Sequence, residues 1–132
     1  MKTNTQKKDD ELAKDQAKCQ LESIYEMVEN LDSEDDNKRE EALGTIQEDP
    51  LEVSVRAGWH TPGQKAEDEE YLILLCTGGP AVRIIGDLNQ YNEPESAKLQ
   101  YQDWFTAWEN YPLTDEDEEA VLKYARSFYF GE

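Results

Sequence analysis

Few side chains of this 132-residue chain have the types and spacing of a catalytic or metal-binding site. The chain has one histidine, His60, and two cysteines, Cys19 and Cys76, whereas a zinc site needs three or four nitrogen or sulfur ligands. We therefore expect no metal and no cofactor. A Cys76–His60 nucleophile pair is an alternative that requires both residues to lie near one end of a sheet. Cys76 falls within an apolar run, however, where burial raises the pKa of a thiol and makes it unreactive.

Carboxylates are the abundant functional group. The chain has 31 Asp and Glu against 13 Lys and Arg, which gives a formal net charge of −18 and a pI near 4.3. This charge repels phosphate, so we expect no direct binding to nucleic acid or to an anionic membrane surface. No spacing among the carboxylates selects a general acid–base pair. The composition therefore predicts that the chain is not an enzyme and that its partner is a basic protein, such as a nuclease or another nucleic-acid-binding protein.

The acidic residues are concentrated in three clusters, two at predicted helix starts and one in a predicted loop. On a helix, carboxylates four residues apart lie about 6 Å from each other, which is similar to the spacing of phosphates along a nucleic-acid strand. Such a surface can occupy a basic groove in place of nucleic acid. The alternative is that the clusters only complement helix dipoles and keep the protein soluble. The candidate partner-binding acids are Glu34, Asp35, Asp36, Glu40, Glu41, Glu67, Asp68, Glu69, Glu70, Asp115, Glu116, Glu118 and Glu119.

Aromatic residues are the second candidate binding feature. Most of them are expected in a core between a sheet and the last helix. Trp104–Phe105 and Tyr129–Phe130 are adjacent pairs whose side chains point in different directions, so one member of each pair is expected at the surface. Trp104 and Trp108 are the candidate aromatic anchors, with Tyr129 as a further one. If aromatic contact dominates, the chain is a general protein-interaction or regulatory module whose acidity serves solubility only.

Three helices are predicted from the spacing of apolar residues. The first spans residues 11–31, with Glu22, Glu26 and Glu29 facing water. The second begins at an N-cap, Ser33, and the third begins at another, Thr114. The apolar stripes of these helices are, in chain order, Ala17, Leu21, Ile24, Tyr25, Val28 and Leu31; then Ala42, Leu43 and Ile46, which are expected to be buried; then Val121, Leu122, Ala125, Phe128 and Tyr129.

Four segments between the second and third helices have strand patterns. Residues 51–57 alternate between apolar and polar, which is typical of a half-buried strand. Residues 71–77 are almost continuously apolar and predict a central strand buried on both faces. Residues 81–85 and 98–104 predict the remaining strands. The element order ααββββα predicts an α+β fold with a small antiparallel sheet of three to four strands and helices on one face or end.

The composition changes near residue 50, beyond which nearly all of the aromatic residues lie. We therefore predict an N-terminal helical hairpin over residues 1–50, with its first ten residues disordered, and an α+β domain over residues 51–132. The N-terminus lacks the apolar segment of a signal peptide. The longest apolar run has six residues, whereas a membrane-spanning helix needs about 20. These features predict a cytoplasmic protein with no membrane partner.

Several strings in the second part of the chain resemble a family of small acidic bacterial proteins encoded on conjugative elements, plasmids and prophages. The resemblance covers residues 49–132, about two-thirds of the chain. Some small acidic proteins of such elements are anti-CRISPR inhibitors, several of which imitate DNA, so the resemblance implies an anti-defence role. It carries over no functional residue. The strings are Asp49-Pro50 through Arg56, Gly58-Trp59-His60 with Pro62-Gly63, residues 75–83, Tyr101-Gln102-Asp103-Trp104 and Phe128-Tyr129-Phe130-Gly131.

Overall fold

In the computed structural model, the structure describes residues 4–64, 67–77, 79–103 and 106–130. The fold is α+β, as predicted, with two N-terminal helices, an antiparallel sheet and a C-terminal helix. The sheet has five strands, so the predicted number of three to four is wrong. The elements are α1 (Asn4–Glu29), a 3-10 turn (Asn30–Asp32), α2 (Asp36–Glu48), β1 (Glu52–Ala57), β2 (Asp68–Cys76), β3 (Ala81–Asp87), β4 (Lys98–Gln102), β5 (Glu109–Asn110) and α3 (Asp115–Ala125).

The sheet is an antiparallel meander in which each strand pairs with the next, in the order β1-β2-β3-β4-β5. The two residues of β5 pair with Gln100 and Tyr101 of β4. This strand is not predictable from the sequence because two residues are too few to show an alternating pattern. β1 and β5 are the edges of the sheet, and β2 and β3 lie at its centre.

The helices begin at different residues from those predicted, except for α3. α1 starts at Asn4 rather than at residue 11. The N-cap of α2 is Asp35, whose carboxylate accepts a hydrogen bond from the Asn37 backbone N–H. The hydroxyl of Ser33, the predicted cap, accepts from the Asp35 N–H instead and shapes the preceding turn. The predicted cap of α3 is confirmed, since Thr114 forms a reciprocal capping box with the side chain of the residue three positions on.

The core lies between one face of the sheet and the helices α1 and α3. α1 packs on β3 and β4 and alongside α3, whereas α2 packs on α1 and the 3-10 turn. Tyr25, Leu31, Leu122 and Phe128 are half-buried and pack against the core cluster, whereas Leu43 is exposed, so its predicted burial is wrong. The buried residues of the core cluster are Ala17, Leu21, Ile24, Val28, Ile46, Tyr71, Ile73, Leu75, Val82, Ile84, Leu88, Ala97, Leu99, Ala120, Val121, Tyr124, Ala125 and Phe130.

The stripe on the C-terminal helix also differs from the prediction. Tyr124 is fully buried, and its hydroxyl donates a 2.7 Å hydrogen bond to the Asp49 carboxylate. Tyr129 is 80% exposed, so its placement on the apolar stripe of this helix is wrong. The helix ends at Ala125, and the helical spacing that placed Tyr129 on the buried stripe therefore does not extend to it.

The face of the sheet turned away from α1 and α3 carries balanced charge. Leu72 and Leu74 lie on this outer face and are half-buried. The prediction that residues 71–77 are buried on both faces is therefore wrong, because both helices pack on the opposite face. The strand register interleaves three acids and three bases on the outer face, namely Glu52, Glu70, Asp87, Arg56, Arg83 and Lys98.

None of the helices in the described ranges combines the length and the apolar character needed to cross a bilayer. α1 has 26 residues, which is enough for the length alone. Its exposed side is charged, however, and its apolar stripe is used in the core.

Candidate acidic binding surface

A groove between α1 and α3 brings together acids from distant parts of the chain. The Tyr25 hydroxyl donates a hydrogen bond to the Asp117 carboxylate near the start of α3. Further along, the Lys123 ammonium donates to the Asp32 carboxylate at 2.7 Å. Because both contacts advance in the same sense along the chain, the two helices run parallel. Their exposed sides therefore form the two walls of one groove.

The walls of this groove are acidic and its floor is partly apolar. Its volume is about 420 Å³. Five carboxylates line it, and the ammonium group among the lining residues, that of Lys123, is bound to Asp32. Within the described part of the chain, no ion pair joins the remaining four carboxylates to a cation. The lining residues are Tyr25, Glu26, Val28, Glu29, Asp32, Glu116, Glu119, Ala120 and Lys123.

The hydrogen bonds at the two ends of the groove shift the pKa values of the residues that form them. The hydrogen bond from Tyr25 lowers the pKa of Asp117, and the Thr114 backbone N–H lowers it further. The same bond, together with desolvation and the charges of Asp117 and Glu116, raises the pKa of Tyr25 to about 12. At the other end, the hydrogen bond to Asp32 raises the pKa of Lys123. Asp117 and Lys123 are thus engaged in contacts between the helices, whereas the four remaining carboxylates of the groove are exposed.

The third predicted cluster is divided between this groove and its surroundings. Glu116 and Glu119 line the groove, and Asp115 is exposed at the N-terminus of α3. Glu118 is half-buried and is not among the residues that line the groove. Burial is the main cause of the raised pKa of Tyr71, and the charge of Glu118 adds to it. Two of the four predicted acids of this cluster therefore line the groove.

The first predicted cluster lies at the start of α2 and is solvent-exposed throughout. Asp35 is occupied as the cap and Asp36 forms an ion pair with Arg39. Glu41 lines a second groove, between α1 and α2, that also contains Glu26 and one base, Lys38. The acidic surface thus continues across α1 from one groove to the other. Glu34 and Glu40, the other acids of this cluster, are exposed beside it.

The second cluster is predicted in a loop, and this prediction is wrong. Most of the cluster forms the first residues of β2. Pairing with β1 and β3 extends the strand back to Asp68. Glu70 is half-buried and bonds Arg56 of β1 at 2.5 Å. Glu67, Asp68 and Glu69 line a separate cleft of about 380 Å³ between the β2 start and residues 87–90. This cluster therefore lies outside the α1–α3 groove.

The predicted aromatic anchors have different outcomes. Trp104 lies outside the described residues. Trp108 is half-buried, with the Arg83 guanidinium carbon 3.9 Å from its ring centroid, so it is not a free anchor. In the last pair Tyr129 is exposed and Phe130 is buried, which confirms the prediction that one member faces solvent. The most exposed aromatic residue described is Trp59, which sequence reasoning did not select.

The thiol and imidazole of the alternative enzyme site lie at opposite ends of β2. Cys76 is the last residue of β2. His60 follows the end of β1, and that end pairs with Asp68 at the start of β2. At about 3.3 Å per residue the two strand ends are more than 20 Å apart, so the expected proximity is wrong. Burial raises the pKa of the Cys76 thiol.

Two residues of the groove, Glu26 and Glu29, were not among the predicted site residues. Their placement on the water-facing side of α1 is confirmed. The sequence contains no signal, however, that this side lies next to α3.

Comparison with protein-family models, with curated proteins and with solved structures finds no match for this chain. Among the described residues, no group of three or more His, Cys, Asp or Glu is arranged to hold a metal ion.

Proposed function

We propose that this protein is a non-catalytic inhibitor of a bacterial nucleic-acid-binding defence enzyme, of the anti-CRISPR kind. It occupies the basic nucleic-acid groove of that enzyme with the acidic groove between α1 and α3. The observation that supports this function is the convergence of Glu26, Glu29, Glu116 and Glu119 around one groove whose ammonium group already binds Asp32. Uncompensated carboxylates attract a Lys- and Arg-lined surface and bind it in place of phosphates.

The arrangement of these four carboxylates supports mimicry of a nucleic acid rather than general acidity. Each wall has a pair three residues apart on a helix, and such residues are neighbours about 5–6 Å apart. The pairs therefore resemble successive phosphates on the two sides of a groove. On the α2 side, Glu41 extends the acidic surface beyond Glu26.

The test measures binding of target DNA by a panel of purified CRISPR effector nucleases, with this protein as a competitor. Competition should weaken by about tenfold to a hundredfold between about 50 mM and about 200 mM salt, because the contact is ionic. The variant E26Q/E116Q/E119Q removes three groove charges and should weaken competition by about tenfold or more.

A matched control separates the groove from net charge. Glu93, Glu95 and Glu109 are exposed and lie outside the groove, so E93Q/E95Q/E109Q makes the same change in net charge. This control should compete like the wild type. Equal losses in the two variants would assign binding to overall charge and contradict a groove-specific site. Competition that is unaffected by salt would contradict the ionic mechanism itself.

A second candidate function is favoured by the exposed aromatic residues. Trp59 is fully exposed and Tyr129 is 80% exposed, and aromatic side chains of this kind serve as anchors in protein interfaces. In that case the protein is a general interaction or regulatory module, and its acidity provides solubility. Binding would then be insensitive to salt and would be lost in Trp59→Ala or Tyr129→Ala but not in E26Q/E116Q/E119Q.

A further inference from the structure

The free edge of β1 carries apolar side chains that the fold leaves uncovered. Leu51, Val53 and Val55 alternate along this edge and are 61%, 39% and 41% exposed. Val53 and Val55 pair with the buried residues Ile73 and Tyr71 of β2, so they lie on the helix side of the sheet. α1 packs mainly on β3 and β4 and leaves both valines partly exposed. Among the described residues, no strand other than β2 pairs with β1.

An exposed strand edge is a template for pairing with another strand, and the sequence of β1 is complementary to itself. In an antiparallel pair centred on Ser54, Val53 of one copy lies opposite Val55 of the other. Glu52 of one copy then lies opposite Arg56 of the other, and this ion pair occurs twice. Opposite charges and β-branched pairs at directly opposed positions are the cross-strand contacts that stabilise a sheet.

Two features of the chain delimit the same five residues. Pro50 precedes the strand and has no N–H to donate to a ladder. At the other end β1 stops at Ala57, and the residue that lies opposite Ala57 in this register is Leu51, which directly follows Pro50. The segment that remains is Glu52–Arg56, in which one acid balances one base. Arg56 also binds Glu70 of β2 in its own chain, so in the pair its guanidinium is shared by two carboxylates. With two acids and one base, this edge is much less acidic than the chain as a whole, whose net charge of −18 makes two copies repel each other.

We infer that this chain forms a two-fold symmetric dimer by antiparallel pairing of its β1 edges, centred on Ser54. The two sheets then form one ten-stranded sheet, and Val53 and Val55 of each copy cover those of the other. The pairing also brings the exposed Leu51 of one copy near Ala57 of the other, two residues before Trp59. An interface built on five residues is small, so we expect a dissociation constant of about 10–100 µM.

Sedimentation equilibrium of the full chain over about 1–500 µM tests this dimer. The wild-type mass should rise with concentration from 15.2 kDa towards twice that value. Glu52→Arg opposes Arg to Arg across the two-fold axis and should raise the dissociation constant by about tenfold or more. Glu52 is exposed on an edge strand, and its substitution leaves the Arg56–Glu70 pair in place. Glu95→Arg, which makes the same charge change in a loop, should leave the dissociation constant unchanged.

A mixing experiment tests the register. Arg56→Glu should also be monomeric, because it opposes two glutamates to each other across the axis. An equimolar mixture of the E52R and R56E chains places opposite charges at both ends and should form a heterodimer. A wild type that stays at 15.2 kDa over the whole range would overturn the proposal. So would a dimer that E52R does not weaken, or a mixture that remains monomeric.

The dimer and the proposed inhibitory function can fail separately. The interface uses the edge of the sheet, whereas the acidic groove is formed by α1 and α3. A monomeric E52R chain that still competes with DNA at low salt would leave the groove function intact. A dimer that does not compete would leave the interface intact and overturn only the groove function.

Discussion

On the helical layer, four carboxylates of the α1–α3 groove form no ion pair with any described residue, whereas the outer face of the sheet interleaves three acids with three bases. The difference follows from geometry. Antiparallel strands oppose side chains directly, so a like charge needs an opposite neighbour. Here Glu70 lies directly opposite another acid, Asp87. Arg56, on the other side of Glu70, forms an ion pair with it. The exposed sides of two parallel helices diverge into water, where carboxylates are solvated and repel one another less.

The first prediction compares a buried residue of the helical layer with a partly exposed residue of the edge strand β1. Ile24 is fully buried on α1, whereas Val55 is 41% exposed on β1. Ile24→Ala should lower the free energy of unfolding by about 3 kcal/mol, because it removes buried methyl groups and leaves a cavity. Val55→Ala should lower it by about 0.5 kcal/mol in the monomer. Urea unfolding measured at low protein concentration compares the two, and equal losses would contradict the placement of the core.

The second prediction concerns the start of α3, where the groove acids are positioned. The Thr114 hydroxyl accepts a 3.1 Å hydrogen bond from the Asp117 N–H. Thr114→Ala should lower the free energy of unfolding by about 1 kcal/mol, because it leaves that N–H without its acceptor. Thr114→Ser keeps the acceptor and should retain most of the stability. If both variants lost the same amount in urea unfolding, the cap would not be the cause.

These two predictions depend on local features, which are the ones that the sequence revealed. The spacing of Ile24 and Val28 predicted the buried side of α1, and Thr114 predicted the start of α3. Both signals are contained in one turn or one stripe. The second helix shows the limit of such signals. Ser33 and Asp35 are both good caps, and the choice between them depends on which hydroxyl or carboxylate completes the preceding turn.

The groove and the fifth strand could not be predicted because they depend on contacts between distant segments. The water-facing position of Glu26 follows from its helix, but its proximity to Glu119 requires α1 to lie beside α3. The two residues of β5 form a strand only because Gln100 and Tyr101 are in place to pair with them. The apolar run of residues 71–77 predicted a strand correctly. It did not reveal that helices cover only one of its faces.

The third prediction tests the balance of charge on the outer face. The Arg83 guanidinium stacks on Trp108, and its Nε donates a 2.8 Å hydrogen bond to the Gln100 side chain. Desolvation and the nearby charge of Arg56 lower the pKa of Arg83. Arg83→Ala should lower the free energy of unfolding by about 0.5–1 kcal/mol, because it removes the stacking contact. Arg83→Lys should restore part of this loss by keeping the charge without the planar stack.

The same Arg83→Ala variant is also tested for its ability to compete with DNA. Arg83→Ala lies on the opposite side of the sheet from the groove, so competition with DNA should be unchanged despite the loss of stability. Urea unfolding and the DNA competition assay are therefore measured on the same preparation. A large change in competition would mean that the partner contacts both faces, and the contrast between them would then not describe function.

The fourth prediction concerns the hydrogen bond that ties the two walls of the groove, and it has the smallest expected effect. Tyr25 donates to Asp117, and its pKa is raised to about 12. The neutral phenol therefore stabilises the fold fully below its ordinary pKa of about 10, and this contribution is lost as pH rises towards 12. The pKa of Asp117 is lowered, so its contribution is present above the ordinary carboxyl value and is lost as pH falls through the lowered one.

Tyr25→Phe removes the contribution of the phenol and only that part of the Asp117 contribution that the Tyr25 hydrogen bond provides, since Thr114 still lowers the pKa of Asp117. The thermal midpoint measures what is removed as a difference from the wild type. Tyr71 and Tyr124 also have raised pKa values, chiefly because they are buried, so the alkaline loss of the wild type alone does not report on Tyr25. The midpoint of the wild type should exceed that of Tyr25→Phe near neutral pH. This excess should shrink between about pH 10 and about pH 12. A constant difference over that range would mean that the phenol packs between the helices without donating to Asp117, and the groove walls would then be held by Lys123 and the core.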